Sequence, residues 1–583
     1  MTITQLAESP VSKLISEDAN EAIEDHSKLY QVQRELIKQY SRETTKFYPL
    51  LIHELRQGGV LPSNQWLVLT ESVLYTFFSF LISFTISRNL KKKTEIESLP
   101  FTFAGAFPSF QEQLIQKLSY DKKLHATLFS GANSILEGIE RPTQLTQPLS
   151  EKFSLYSLQY VLTKKLVNRK KLSLTLSQKD ICLLTAQNLR PFLPLEGQSV
   201  FELDPVIQSL YRLPQPINLS LRSKLIDYLE SIFERLSLSQ HFYILRDFPK
   251  SSSWFATIVT SLLPSCLVED YDYYLKEISS LFNSIEPKIL ITSGGHHGDL
   301  SNLSLSIASS KKIPIFNFQH GAGYSELASM VGERAVEYCL YPSFFFSWGK
   351  HKNLFADADV KPKVIPIGSA YINSIAKKGF EHTNFKYILI PLEPIYFYQM
   401  LDSFTPSQPG FVQQNYREIL SFLTQVTREH KHIRFIFKVK VGHNKLLKLK
   451  KIMSKAVLAK AEFVFAGKTT DYFSSESLVL CPNLSGAFHE VLTAEVAFIA
   501  FFPEEQLLCQ PFAESFISKL KKNHCVGSNW KELSECFSAH MNQKVAYKKV
   551  AQYSADYLEQ ACMKNPKWKS TVAKHLEPFL KKI

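Results

Sequence analysis

From about Phe242 onward, short apolar runs alternate with segments of helical period. Ile289-Leu290-Ile291-Thr292 ends in Ser293-Gly294-Gly295-His296-His297-Gly298, and Ile313 to Phe318 ends in Gln319-His320-Gly321-Ala322-Gly323. Runs this short, bounded by turn residues, are the pattern of buried parallel strands. Asp299 to Ser310 lies between them with helical spacing, so the stretch predicts a strand-helix-strand unit with parallel strands. Asp299 is placed as an N-cap would be. Val364 to Gly368 predicts another strand, and Ala370 to Lys378 a helix.

A second block repeats the plan. Tyr387 to Pro391, Phe435 to Val439, Phe463 to Phe465, Leu478 to Cys481 and Ala497 to Phe502 predict strands. Gln413 to His430 and Ala487 to Glu495 predict helices, and the tail from about Gln543 is helical and basic. From Asp18 to about Gln240 the spacing is mostly helical, including Phe110 to Tyr120, Phe153 to Asn168 and Leu221 to Leu236. Pro49 should interrupt the first helical stretch, and Pro191, Pro194, Pro205, Pro214 and Pro216 read as loop. The expected organisation is a largely helical region, 1–240, followed by a first Rossmann-like domain, 241–378, and a second, 379–583, with a helical tail.

Trp66 to Ile86 is nearly long enough to span a bilayer. Glu71 inside it is costly in lipid, so it reads as a buried or interfacial helix. Its basic flank, Arg88 and Lys91 to Lys93, suits peripheral contact with an inner membrane leaflet.

Composition narrows the class. The 583 residues exceed one core, and 45% hydrophobic with 21% charged residues is ordinary for a folded protein. With 43 Phe, the cores should be phenylalanine-rich. The net charge of +13 favours anionic partners. Lysines cluster at 91–93, 445–451 and 519–522, each readable as a solvated face. No zinc finger, RNA-recognition signature or base-stacking basic helix is present, so nucleic acid is not the expected partner. The eight cysteines form no CxxC pair and read as reduced, mostly buried thiols. MTITQLAESP has neither the charged nor the apolar region of a secretory signal. A cytoplasmic location follows as the expectation.

Candidate chemistry gathers at the predicted strand ends. Ligands of open α/β sheets bind at the carboxyl edge, and two such edges facing each other make a cleft. Ser293, His296, His297, Asp299, Gln319, His320, Glu326, Lys438, His443, Ser485 and Glu490 would line it. Ser485-Gly486 opens a helix, whose free N–H groups and dipole suit a phosphate, although an ordinary cap would look the same. Lys438 and His443 could hold phosphate or a ribose hydroxyl, or lie in a solvated loop. His320 could act on a hydroxyl or a leaving phosphate, and Asp299 could be a general base or simply a cap. The adjacent pair His296-His297 has no obvious third and fourth ligand, which argues against zinc. Asp357-Ala358-Asp359 lies in a surface-like segment, so no metal is expected. Walker A, GxSxG, HExxH and GxGxxG motifs are missing.

FNFQHGAGYSE, FFFSWGK (344–350), VIPIGSAYI (364–372) and PNLSGAFHEVLTAEVAFIAFF (482–502) together resemble a family of bacterial transferases found among surface-polysaccharide genes. WLVLTESVLYTFFSFLISF is a looser echo. More distantly, the chain is similar to the CMP-sugar enzymes that transfer 3-deoxy-manno-octulosonic acid (Kdo) and to CDP-glycerol glycerophosphotransferases. The resemblance implies a GT-B-like fold: two Rossmann-like domains with a nucleotide-sugar cleft between them. It also implies a metal-independent, cofactor-free glycosyltransferase with a CMP- or UDP-linked donor. The acceptor would be a glycan or glycolipid of the envelope. Nucleotide contacts would come from Ser485, Gly486, Glu490, Lys438 and His443. Acceptor contacts would come from Gln319, Gly321, Gly323 and His297, with His320 or Asp299 as base. Asn444 stands where the distant relatives have proline, and LSGAF lacks their second hydroxyl. A polyol-phosphate transferase on the same fold and a catalytically inactive scaffold stay open as alternatives.

Overall fold

Apolar strands buried on both faces need helices above and below, and the molecule is built on that requirement twice. A computed structural model describes residues 50–73, 179–210, 218–238, 256–293, 299–327, 341–350, 362–379, 384–392, 409–439, 450–503 and 509–580, several with short breaks.

The first sheet holds β1 (Ile181–Leu184), β2 (Val200–Glu202), β3 (Ile289–Ser293), β4 (Ile315–Phe318), β5 (Phe344–Ser347) and β6 (Lys363–Pro366) in the order β2-β1-β3-β4-β5-β6, all parallel. The second holds β7 (Tyr387–Leu392), β8 (Arg434–Val439), β9 (Ala461–Val464), β10 (Ser477–Cys481), β11 (Phe498–Phe501) and β12 (Val526–Gly527) in the order β12-β11-β10-β7-β8-β9, again all parallel. Read from its own first strand, the second order is the 3-2-1-4-5-6 of dinucleotide-binding sheets, reversed between β7 and β10. The expected pair of Rossmann-like domains is present.

Side chains of each strand alternate between two cores. On one face of the first sheet, Cys182, Leu184 and Leu290 pack against α1 (Leu219–Leu238), α2 (Tyr271–Ile285) and α3 (Asp299–Ser310). Leu51, Leu55, Trp66, Val68, Leu69 and Val73 join the same core. The described start of the Trp66–Ile86 stretch is therefore buried in protein, and the rest lies outside the described residues. Among those residues no helix is long and apolar enough to cross a membrane.

In the second sheet, Ile388, Ile390, Phe435, Phe437, Leu478 and Leu480 face α4 (Pro409–Glu429). Leu389, Val479, Cys481, Phe498 and Ala500 face α5 (Gly486–Ala494) and α6 (Pro511–Lys522). α7 (Trp530–Met541) closes the α4 side, and α8 (Tyr547–Ala561) the α5 side.

α9 (Trp568–Leu580) leaves the second domain and returns to the first. Its Trp568, Val572 and Leu576 complete the other face of the first sheet with Ile181, Leu183, Ile289, Ile291, Phe316 and Phe346. The phenylalanines interlock as the composition predicts: Phe316 stacks on Phe344 at 4.6 Å, with Phe579 edge-on at 5.6 Å. The crossing passes over two glycines at strand ends. A Cβ on Gly349 would lie 1.8 Å from the Gln560 carbonyl oxygen, and one on Gly368, whose φ is +75°, 2.3 Å from that of Met563. Met563 N–H donates to Trp348 O, and Asn565 N–H to Asn373 Oδ1, fixing the passage.

Three expectations need revision. β1 and β2 extend the first sheet about sixty residues ahead of the expected start at 241, and they hide in sequence because they are four and three residues long. The tail is shared between both domains. The helix expected over 370–378 is one turn, Ala370–Asn373, because Lys378 N–H bonds to Ala494 O at the end of α5 and draws the chain out straight.

Candidate functional site

β10 ends at Cys481, and five residues later the chain enters α5. Because β10 and β7 flank the point where the strand order reverses, this turn stands where the helices diverge and a crevice opens. Ser485 is the N-cap of α5 in extended backbone, yet its side chain makes no capping bond, and its Oγ is buried without a partner. A Cβ on Gly486 would meet no atom within 4 Å, so the first turn of α5 faces open space. One turn further, the Glu490 Oε2 is also buried without a partner. Burial pushes the Glu490 carboxyl up to about 7, opposed by the positive charge of Lys468.

Lys468 was not singled out by the sequence. It follows Gly467 after β9, and its Nζ sits 5.1 Å from the ring centre of Tyr371. The Tyr371 hydroxyl lies 3.3 Å from Thr470 Oγ1, and burial raises its pKa. Tyr371 belongs to the link between the two sheets. Three remote segments therefore meet at Glu490. Lys438, at the end of β8, is buried, and its ammonium donates to Val439 O and Phe465 O, both at 3.4 Å. With β7 between them, β8 and β10 lie roughly 10 Å apart. His443 lies outside the described residues.

On the first sheet, β3 and β4 are neighbours, and their last residues before the two glycine-histidine breaks, Ser293 and Phe318, are paired. Gln319 is buried. Its amide donates to Gly321 O at 2.7 Å, and its Oε1 accepts from Trp348 N–H at 2.7 Å, holding the turn against the end of β5. His320 is exposed at the head of that turn. A Cβ on Gly321 would meet nothing within 4 Å, and Gly323 takes φ +88°. Asp299 is the first residue of α3, while His296 and His297 lie outside the described residues.

Glu326 corrects the reading that it lines the cleft. It is wholly buried where the domains meet. Its Oε1 is 2.9 Å from Nε2 of His489 on α5, and its carboxylate accepts from the backbone of Gly323 and Ser325. The turn of the first sheet thus rests on the helix that carries Ser485 and Glu490. No group of three His, Cys, Asp or Glu side chains gathers in a metal-holding arrangement among the described residues.

Two parallel Rossmann-like sheets, joined by a returning helix and touching at their carboxyl-edge turns, define a two-domain α/β enzyme. The family model described as LIC12162 family transferase matches residues 64–533, and the chain belongs to that family. It is a transferase.

No curated protein matches. Among solved structures, the UDP-GlcNAc 2-epimerase of Neisseria meningitidis bound to UDP-GlcNAc is 10% identical, covering 69% of this chain and 99% of its own at a TM-score of 0.37. A UDP-glucosyltransferase of Polygonum tinctorium is 13% identical, with 70% and 99% covered and a TM-score of 0.36. A UDP-forming trehalose-phosphate synthase of Burkholderia vietnamiensis is 11% identical, with 53% and 76% covered and a TM-score of 0.34.

Proposed function

We propose that this transferase is a metal-independent, GT-B-like glycosyltransferase. It moves a sugar from a CMP- or UDP-linked donor to an envelope polysaccharide or lipopolysaccharide acceptor. The observation that carries the reading is the open first turn of α5 at the strand-order reversal, with Ser485 Oγ and Glu490 Oε2 left unpartnered beside it.

The donor's phosphates lie against the N–H groups of Gly486 and its neighbours, where the helix dipole adds about 0.3–1 kcal/mol. Lys468, Lys438 and His443 supply positive charge as the phosphate leaves. Glu490, raised to about 7, exchanges hydrogen bonds with a sugar or ribose hydroxyl. The first domain presents the acceptor at Gly321, Gly323 and His297, on the turn that Gln319 holds. Asp299 or His320 takes the proton of the acceptor hydroxyl. That oxygen then attacks the anomeric carbon, and the bond to the donor phosphate breaks. The net charge of +13 and the basic run Arg88 and Lys91 to Lys93 suit work beside the inner membrane leaflet, in the cytoplasm.

Calorimetry with CMP, CDP and UDP tests the donor site. Wild-type protein should bind one of them, and Gly486→Val should lose at least tenfold in affinity with unchanged circular dichroism. Equal affinity in the variant would remove the phosphate site. An intact fold binding no nucleotide would favour an inactive scaffold. Product mass with CMP-, CDP- and UDP-linked donors separates sugar transfer from transfer of a polyol phosphate.

A further inference from the structure

Three segments distant in sequence meet in one buried cluster between the domains. Glu326 comes from the turn after β4, His489 from α5 and Tyr557 from α8. Glu326 and His489 have no side-chain exposure, and their paired atoms are 2.9 Å apart. The Tyr557 ring lies nearly parallel to the His489 ring, at 8° and 5.7 Å, with its hydroxyl 3.4 Å from His489 Nε2. The Tyr557 hydroxyl also hydrogen-bonds to Glu326, and burial beside that carboxylate holds the phenol protonated.

Near β5 and β6 the crossing segment is held by backbone hydrogen bonds such as Met563 N–H to Trp348 O and by the exposed Lys350–Glu559 ion pair, while the turn after β4 meets α5 through one fully buried ion pair. A buried ionisable pair is a poor source of net stability, and its best-attested use is to select one register over its neighbours. The geometry here fits that use. The Glu326 carboxylate closes its own turn through Gly323 N–H, Ser325 N–H and Ser325 Oγ. The Glu326 carbonyl accepts from Gln510 N–H at 2.7 Å, and Leu327 bridges to Cys509. At the front of the same turn, Gln319 clamps Gly321 to Trp348. The turn bearing His320 is therefore rigid in itself and attached to the second domain at its far end. The attachment falls on α5, four residues after Ser485 and next to Glu490.

We propose that Glu326 and His489 are a positioning pair that fixes the His320 turn of the first domain against the nucleotide helix of the second. Neither residue touches a reacting atom. The pair sets the register between the acceptor and donor halves, and Tyr557 seals it from water. The assignment of those halves rests on the reading proposed above, whereas the mechanical coupling does not.

Hydrogen exchange read by mass spectrometry separates this from a merely structural role. Three proteins are compared with wild type: Glu326→Gln, His489→Gln and the exchanged pair Glu326→His with His489→Glu. Each single variant should exchange at least tenfold faster over 319–327 and 486–494, with β3 and β10 at wild-type rates. The exchanged pair should recover most of the protection. In Glu326→Gln, UDP and CMP affinities should stay within threefold of wild type. Turnover with the donor that binds should fall at least tenfold, at a donor KM within threefold.

The proposal is overturned if the turn keeps its wild-type exchange. It is equally overturned if β3 and β10 loosen as much as the turn, or if the exchanged pair is no better protected than the singles. If neither nucleotide binds the wild type, the donor reading fails, and the exchange rates still decide the coupling.

Discussion

Gly349 tests the tightest backbone approach among the described glycines. Replacing it with alanine puts a methyl group 1.8 Å from the Gln560 carbonyl oxygen and 2.6 Å from its carbon. An ordinary carbon–oxygen contact is about 3.3 Å or more, so the end of α8 must retreat by roughly 1.5 Å. The obstacle is backbone, which no rotamer change can remove. Retreat also stretches the bond from Met563 N–H to Trp348 O, now 2.9 Å. Overpacking costs about 1–3 kcal/mol, and the weakened hydrogen bond about 1 kcal/mol more. A total of about 2–4 kcal/mol should load onto the seam between the crossing segment and the first sheet. Two-state unfolding is a poor assay for a chain of two domains, so local hydrogen exchange is the right one. Amides of α9 should open roughly 30- to 1,000-fold more often, at tenfold per 1.36 kcal/mol. Gly321→Ala, whose new methyl meets nothing within 4 Å, is the control and should exchange as wild type. Wild-type protection of 568–580 in Gly349→Ala would refute the reasoning.

Three other substitutions probe different physics. The Glu490 carboxyl titrates near 7 in the folded protein, against an ordinary 4.5, so the folded state holds the extra proton and stability drains away as pH rises from 4.5 to 7. By hydrogen exchange of the α5 amides, Glu490→Gln should therefore match wild type in opening free energy at pH 4.5 and exceed it by about 3 kcal/mol at pH 8, and an equal difference at both pH values would show that burial is not the cause. Arg222 is fully buried, forks onto Glu269 through Nε and Nη2, and donates to Thr260 O and Leu263 O. Arg222→Met strands the Glu269 charge and should cost about 3–5 kcal/mol in the opening free energy of the α1 amides read by hydrogen exchange, a loss that Glu269→Gln in the same chain should partly recover; no loss would mean the pair is solvated. His320→Ala should lower turnover far more than affinity for the donor nucleotide, and normal turnover would return His320 to a structural role.

Strands were legible where both faces are buried, because burial on two sides forces an unbroken apolar run. Ile289–Ser293, Ser477–Cys481 and Phe498–Phe501 lie within a residue or two of their expected places for that reason. Val200–Glu202 was not legible. It is a half-exposed edge strand three residues long, and its register comes from pairing with β1. Ser485 and Gly486 could be read because a strand, a turn and a helix follow one another directly. Lys468 and Tyr371 could not, since only the order of strands brings them to Glu490. Glu326 was read as polar and therefore lining the cleft, and a sequence gives no sign that a carboxylate has a buried histidine waiting for it.

The returning helix also governs how the molecule is made. The first sheet can pair its strands early, but among the described residues the helix that packs on the face bearing Phe316, Phe344 and Phe346 is Trp568–Leu580, which leaves the ribosome long after those strands. Until then the nascent chain lacks that helix over its aromatic surface, and exposed apolar surface of this kind recruits chaperones or neighbouring chains. Contacts between segments this distant also slow folding, since the loop must close before they reward it. A chain cut short before Trp568 would lose no residue of the proposed nucleotide pocket, and would still be expected to aggregate.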